Sequence, residues 1–153
     1  MNTSKFFLKA ANSLITAVVA LFLILAAAYS GYALWDNAQV YAAVDDVQSE
    51  LMKLKPDPEQ KDGGASFEEL RKINPDVCGW ITLDHTKIDY PILQGEDNLT
   101  YINTDVYGDF ALSGSIFLDS GCDNTFQGKY SLLYGHHMAN HKMFGDLDLY
   151  RKK

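Results

Sequence analysis

The densest polar constellation in this 153-residue chain is Tyr134-Gly-His-His-Met-Ala-Asn-His141, directly after the strand-like run at residues 129–134. A histidine at a strand end suits proton transfer, because a rigid element fixes it while the following loop gives access. The unperturbed imidazole pKa of ~6.5 allows exchange near neutral pH. Metal binding is the rival chemistry, since imidazoles stand at positions 136, 137 and 141 and the i, i+4 pair His137 and His141 could share a helical face. Against it, no Glu follows the first His as in H-E-x-x-H, and no C-x-x-C occurs. No metal and no cofactor is expected. On pattern alone, a loop of solvated histidines stands level with catalysis.

The two cysteines differ in setting. Cys78 lies in the apolar stretch Val77-Cys-Gly-Trp80, whose default role is a small buried core residue. Cys122 lies in the polar turn Asp119-Ser-Gly-Cys-Asp-Asn124 and is the more exposed candidate. A nucleophilic thiolate needs a nearby cation or helix N-terminus, and neither local sequence supplies one. A Cys78–Cys122 disulfide stays open for a domain outside a membrane, its Cα separation being untestable from sequence.

Composition bounds the elements that must position these groups. With 47% hydrophobic residues, 11 Gly and 4 Pro, the chain is neither disordered nor collagen-like. Its length allows one domain plus an accessory segment. A formal charge of −7 argues against a general nucleic-acid binder, which needs a basic face, so no nucleic-acid partner is expected.

Residues 14–35 form a run of 22 without a charge, LITAVVALFLILAAAYSGYALW. At ~1.5 Å per residue a helix of this run reaches ~33 Å, enough to cross a hydrocarbon core of ~30 Å. Tyr29, Tyr32 and Trp35 gather at its far end, where amphipathic rings favour the interface. Lys5 and Lys9 precede the run and Asp36, Asp45 and Asp46 follow it, which predicts a single-pass cell-membrane protein with its N-terminus cytoplasmic and its C-terminal portion extracellular. A signal peptide cleaved near Ala26-Ala27-Ala28 is the alternative, but signal cores are shorter, ~7–15 residues. All 20 acidic and 11 of the 13 basic residues lie beyond Trp35, so this portion carries −9 and would hold an anionic lipid or wall polymer only through a specific site.

The predicted organisation is a cytoplasmic N-terminus at residues 1–13, a transmembrane anchor at 14–35, a helix and linker at 36–65, and a domain from 66 to 153. Val40, Val44, Val47, Leu51 and Leu54 form one apolar stripe on a helix over about residues 37–55, expected to pack on the following domain. Lys55-Pro-Asp-Pro-Glu-Gln-Lys-Asp-Gly-Gly64 reads as a linker or edge loop. Ser66-Phe-Glu-Glu69 fits a capping box opening a short helix that ends by Asn74-Pro75. Strands are predicted at residues 78–84 and 88–93 around a turn at 84–87, with Pro91 favouring an edge or bulge. Two buried strands are expected at 114–119 and 129–134. A last helical turn or two is expected at 143–150, with Met143, Phe144 and Leu147 on one side. No internal repeat is apparent.

Taken together, Asn74-Pro-Asp-Val-Cys-Gly-Trp-Ile81, Ile88-Asp-Tyr-Pro-Ile92, Asp97-Asn98 with Tyr101, Gly114-Ser-Ile-Phe-Leu-Asp119, and Leu133-Tyr-Gly-His-His-Met138 with Met143-Phe-Gly-Asp-Leu147 resemble a class B sortase. The five blocks occur in the family's order over about residues 66–150. Asp84-His85-Thr86 departs from the family's more usual Pro-Gly-Thr turn. The resemblance implies a mainly β fold with N-terminal helices, here an incomplete sortase-type β-barrel preceded by a single transmembrane helix.

The implied activity is that of a cysteine transpeptidase of Gram-positive cell surfaces. A Cys attacks a sorting-motif peptide of a surface protein to form a thioacyl intermediate, and an amine from peptidoglycan or a pilin resolves it. The family's catalytic His maps to His136, and Asn98 and Ile102 map to a region bordering the substrate groove. The nucleophilic Cys, in a Thr-Leu-x-Thr-Cys-like strand, and a later Arg have no counterpart here. Cys78 and Cys122 precede the His and match no nucleophile motif, and Arg151 is in the wrong context. The expectation is therefore a truncated N-terminal part of a sortase, inactive alone because an imidazole without a nucleophile offers only acid–base help. A catalytically dead remnant acting as a membrane-anchored interaction protein is the alternative, and a metal-binding module trails both.

Overall fold

The computed structural model describes residues 3–57 and 64–151. It divides into two compact units that meet in sequence between Gln39 and Val40. Helix α1 (Thr3–Leu51) is one uninterrupted helix of 49 residues, where the sequence predicts two segments parting near Asp36. No Pro or Gly stands between Tyr32 and Leu51 to break it, and Ala38, Ala42 and Ala43 favour continuation.

In the first unit the helix is long and apolar enough to cross a membrane, and its large apolar side chains stand exposed. Thr16 and Ser30 donate their hydroxyls to the carbonyls of Asn12 and Ala26, each at 2.8 Å. These polar groups therefore need no partner from an apolar surround. The Tyr32 and Trp35 rings lie 6.0 Å apart at the far end of the run.

In the second unit the stripe at the end of α1 packs as its spacing predicts. Val44 and Leu51 are buried, and Val47 and Leu54 pack beside the core. Residues 58–63 of the Pro/Gly-rich connection lie outside the described residues. Helix α2 (Gly64–Ile73) starts two residues before Ser66, so Ser66 sits inside the first turn rather than at a cap. The helix stops before Asn74-Pro75, as the proline requires. Buried Asn74 then donates from its amide to the Tyr101 hydroxyl (3.1 Å) and the Val106 carbonyl (3.0 Å), while its Oδ1 accepts from the Asp76 N–H (3.0 Å). One side chain thus joins the helix end to the loop that follows the second strand.

Strands β1 (Val77–Thr82) and β2 (Asp89–Leu93) pair antiparallel, with a register shift between Val77 and Gly79. Asp89 anchors the pair, accepting from Trp80 Nε1 (2.6 Å), Thr82 Oγ1 (2.9 Å) and Lys55 Nζ (2.6 Å). β3 (Ile116–Leu118) runs parallel to β2, and β4 (Leu133–Tyr134) antiparallel to β3, giving the order β1-β2-β3-β4. β2 is thus interior rather than an edge. It tolerates Pro91 because only Ile92 and Leu93 pair with β3, so at the proline the strand has one neighbour.

Two cores follow from period-2 alternation across this sheet. Tyr90, Ile92, Ile116 and Leu118 cluster with Val44 and Met143, while Leu93 and Phe117 cluster with Leu51, Leu70, Val77, Tyr101 and Val106. Sitting between both, β3 is buried along its length. The run at 129–134 is not the buried strand predicted for it. Only Leu133 and Tyr134 pair, and residues 129–132 are exposed, because β4 is the last strand of the sheet and, among the described residues, no further strand pairs with it. The sheet does not close into a barrel among the described residues.

The histidine segment folds as a two-stranded hairpin, β5 (His137–Met138) with β6 (Lys142–Met143), followed by a 3-10 helix at Gly145–Tyr150. His137 and His141 therefore share no helical face. In the closing turns, Met143 is buried and Phe144 half-buried, whereas Leu147 faces solvent.

Candidate active site

His136 stands between β4 and the β5–β6 hairpin, one residue beyond Gly135. A Cβ at Gly135 would lie 2.3 Å from Ile116 Cδ1 and 3.0 Å from the Phe144 ring, so glycine lets the strand end close down on the core. The His136 carbonyl accepts the Phe144 N–H at 2.9 Å, which pins the residue to the far side of the hairpin. Its imidazole is exposed, with Nε2 2.8 Å from the carbonyl oxygen of Ile102.

Ile102 reaches this position through a loop with little regular structure, held by carboxylates. Asp97 Oδ1 accepts the N–H groups of Leu99 (2.9 Å) and Thr100 (2.8 Å) and the Thr100 hydroxyl, and these bonds hold its carboxyl below the ordinary range. Asp105 accepts from Tyr107 and Asp109 in the same way. Ser115 ties the loop to β3, its N–H bonding the Tyr101 carbonyl (3.0 Å) and its hydroxyl the Thr104 carbonyl (2.8 Å). Tyr101 donates to Asp76 at 2.7 Å. Burial, then that carboxylate, push its phenol up to about 12.

Asn98 uses both ends of its amide on the loop after β3. Its Nδ2 donates to Asp119 Oδ2 (2.7 Å) and its Oδ1 accepts from the Ser120 N–H (2.7 Å). The same Asp119 oxygen accepts the Tyr134 hydroxyl at 3.0 Å, two residues before His136. The Gly121 N–H, then Tyr134 and Asn98, hold the Asp119 carboxyl below its usual value. The structure thus brings Ile102 directly to His136, and ties Asn98 to the His136 strand through Asp119.

The other imidazoles point elsewhere: His137 Nε2 lies 3.0 Å from Asp148 Oδ2, and His141 Nδ1 bonds Asp146. Among the described residues no group of three or more His, Cys, Asp or Glu side chains is arranged to hold a metal. Asp146 is buried, and its second oxygen accepts the Lys87 N–H at 2.6 Å, tying the hairpin to the β1–β2 turn. Lys142 pairs with Asp45 of α1, and the Met143 N–H donates to the Tyr90 hydroxyl at 3.1 Å. Asp119 and Asp146 were not candidates from sequence: the contacts that make them junctions, with Asn98 and Tyr134 and with the Lys87 N–H, span 15 to 59 residues and leave no local spacing signal.

Both cysteines are free thiols. Cys78 is half-buried, with Sγ 3.4 Å from the Ile92 carbonyl, and burial pushes its pKa up to about 11. It opens onto a pocket of about 450 Å3 lined also by Arg71, Asp76, Gln94 and Phe126, and not by His136. Cys122 sits in a loop held by Gln94, whose amide donates to the Asp119 and Cys122 carbonyls at 2.8 Å each. Among the described residues no thiol hydrogen-bonds to His136, so the arrangement supplies an acid–base group without an adjacent nucleophile.

No protein-family model matches the chain. It is similar to sortase B of Listeria monocytogenes, with 35% identity over 127 residues, covering 80% of this chain and 50% of that protein. Among solved structures it is similar to a Streptococcus pyogenes class B sortase involved in pilus biogenesis, at 55% identity and TM-score 0.55, covering 61% of this chain and 50% of that one. It is also similar to Staphylococcus aureus sortase B in a substrate complex, at 34% identity and TM-score 0.61, covering 76% and 53%. The chain spans between about a third and a half of the length of the curated relatives it matches. By sequence and by fold, the chain is a class B sortase homologue that spans between about a third and a half of such a protein's length.

Proposed function

We propose that these residues are the N-terminal part of a membrane-anchored class B sortase, a cysteine transpeptidase in which His136 is the acid–base imidazole. The observation that carries this reading is an exposed imidazole fixed at a strand end by Gly135, Phe144 and Ile102. The nucleophilic thiol and the oxyanion-stabilising guanidinium belong to sequence outside these 153 residues. Cys78 does not fit the nucleophile's role, because burial keeps its thiol protonated. The sorting-motif peptide lies along the loop carrying Asn98 and Ile102, and an amine of peptidoglycan or a pilin subunit resolves the thioacyl intermediate. The apolar helix holds the domain at the outer face of the cell membrane, with the lysines Lys5 and Lys9 on the cytoplasmic side.

The test joins this chain to the complementary C-terminal segment of the Streptococcus pyogenes class B sortase and measures cleavage of a sorting-motif peptide library. Cleavage that requires the joined thiol and is lost in His136→Ala supports the reading. Cleavage that survives His136→Ala contradicts it.

A further inference from the structure

A carbonyl oxygen can only accept, so the 2.8 Å approach of His136 Nε2 to the Ile102 carbonyl requires a proton on Nε2. Which imidazole nitrogen carries the proton is set by the hydrogen bond the other makes. We propose that the Ile102 main-chain carbonyl is a positioning group that fixes His136 as the Nε2–H tautomer and leaves Nδ1 as its only proton-accepting atom. The inference rests on the reading of His136 as the acid–base residue, and adds which of its atoms works and what holds it.

The carbonyl is itself held in place. Gly114 lies at φ +55°, and a Cβ there would fall 2.2 Å from the Ile102 oxygen and 2.6 Å from the Tyr101 oxygen. Only glycine lets these two carbonyls approach, and the adjacent Ser115 N–H takes the Tyr101 oxygen at 3.0 Å, leaving the Ile102 oxygen to His136. The first step of acyl transfer then has one geometry. A thiol S–H gives its proton to Nδ1, the electron pair stays on sulfur, and the imidazolium carries one proton on each nitrogen with Nε2–H still on Ile102. The Nδ1 proton is afterwards the one delivered to the leaving amine.

The experiment needs no catalytic activity, which separates its failure from failure of the sortase reading. The full 153-residue chain, labelled with 15N-histidine and held in detergent micelles at pH 8, is read by long-range 1H–15N correlation, with His136→Gln assigning the signals. An unconstrained imidazole interconverts between tautomers. The expected result is a single tautomer at His136, pyrrole-type at Nε2 and pyridine-type at Nδ1. Gly114→Ala should convert it to an exchanging mixture, while Leu99→Ala, an exposed residue of the same loop, should leave it unchanged. A pyridine-type Nε2 or an exchanging mixture in the parent chain overturns the proposal whether or not Gly114→Ala folds. So does a folded Gly114→Ala chain that keeps the single tautomer.

Discussion

Replacing Gly135 with alanine adds one methyl group where the strand end beside His136 closes on the apolar core. Its Cβ would stand 2.3 Å from Ile116 Cδ1 and 3.0 and 3.1 Å from two carbons of the Phe144 ring. Carbon atoms in contact prefer ~3.5–4.0 Å, so Ile116 or the strand end must yield by more than ~1 Å. Ile116 is only 1% exposed and has nowhere to go. Overpacking of this kind costs about 1–3 kcal/mol, and the stiffer unfolded chain returns about 0.4–1 of that. At mid-range, a cost of about 2 kcal/mol less a return of about 0.7 leaves a net loss of about 1.3 kcal/mol, a drop of about 0.65 M in the urea midpoint at a slope of about 2 kcal/mol/M. Trp80 fluorescence in a Trp35→Phe background reports the transition from β1, with the full chain in micelles. Gly128→Ala is the control, its nearest neighbour being 3.5 Å away, and should move the midpoint little. Ile116→Val removes the clashing Cδ1, so the double variant Gly135→Ala/Ile116→Val should lose less than the two single losses combined. A Gly135→Ala midpoint equal to that of Gly128→Ala would refute the packing argument.

Three further outcomes are expected. Leu51→Ala, at the 3% exposed last residue of α1, should destabilise the domain by about 2–5 kcal/mol in the same urea assay. Burial alone would raise the Asp89 carboxyl, but bonds from Lys55, Trp80 and Thr82 reverse this and hold it below its ordinary value. The folded state therefore binds fewer protons than the unfolded one. The contribution is present above the unfolded pKa of ~3.9 and is lost as pH falls through the lower folded value, so Asp89→Asn should flatten the stability profile below about pH 4. With its thiol at about 11, Cys78 should react with a chromogenic disulfide at pH 8 roughly tenfold more slowly in the folded than in the unfolded chain. Equal rates would show that burial does not protect it.

Much of this architecture was legible where physics is local. The 3.6-residue spacing of Val40, Val44, Val47, Leu51 and Leu54 announced the packed face of α1, and Pro75 announced the end of α2. Strands β1 and β2 and the intervening turn followed from residue type and alternation. What escaped was non-local or conformationally unusual. The β5–β6 hairpin turns through Asn140, His141 and Met143 at positive φ, without the glycine that would mark such a turn in sequence. The run at 129–134 looks like a strand by composition, yet its pairing depends on neighbours that composition does not name. The disulfide left open for Cys78 and Cys122 is not formed, and whether their sulfurs meet was a question of three-dimensional distance. At the site, His136 stood out by its strand-end motif, whereas its contact with Ile102 spans 34 residues and required the folded loop.

The most direct test of the account asks where an acyl group goes. The natural polypeptide carrying these residues is incubated with a sorting-motif peptide, quenched in acid and mapped by mass spectrometry. The account predicts a thioester on a cysteine other than Cys78 and Cys122, absent when His136 is replaced by alanine. An adduct on Cys78 or Cys122, or one formed undiminished without the His136 imidazole, would contradict it.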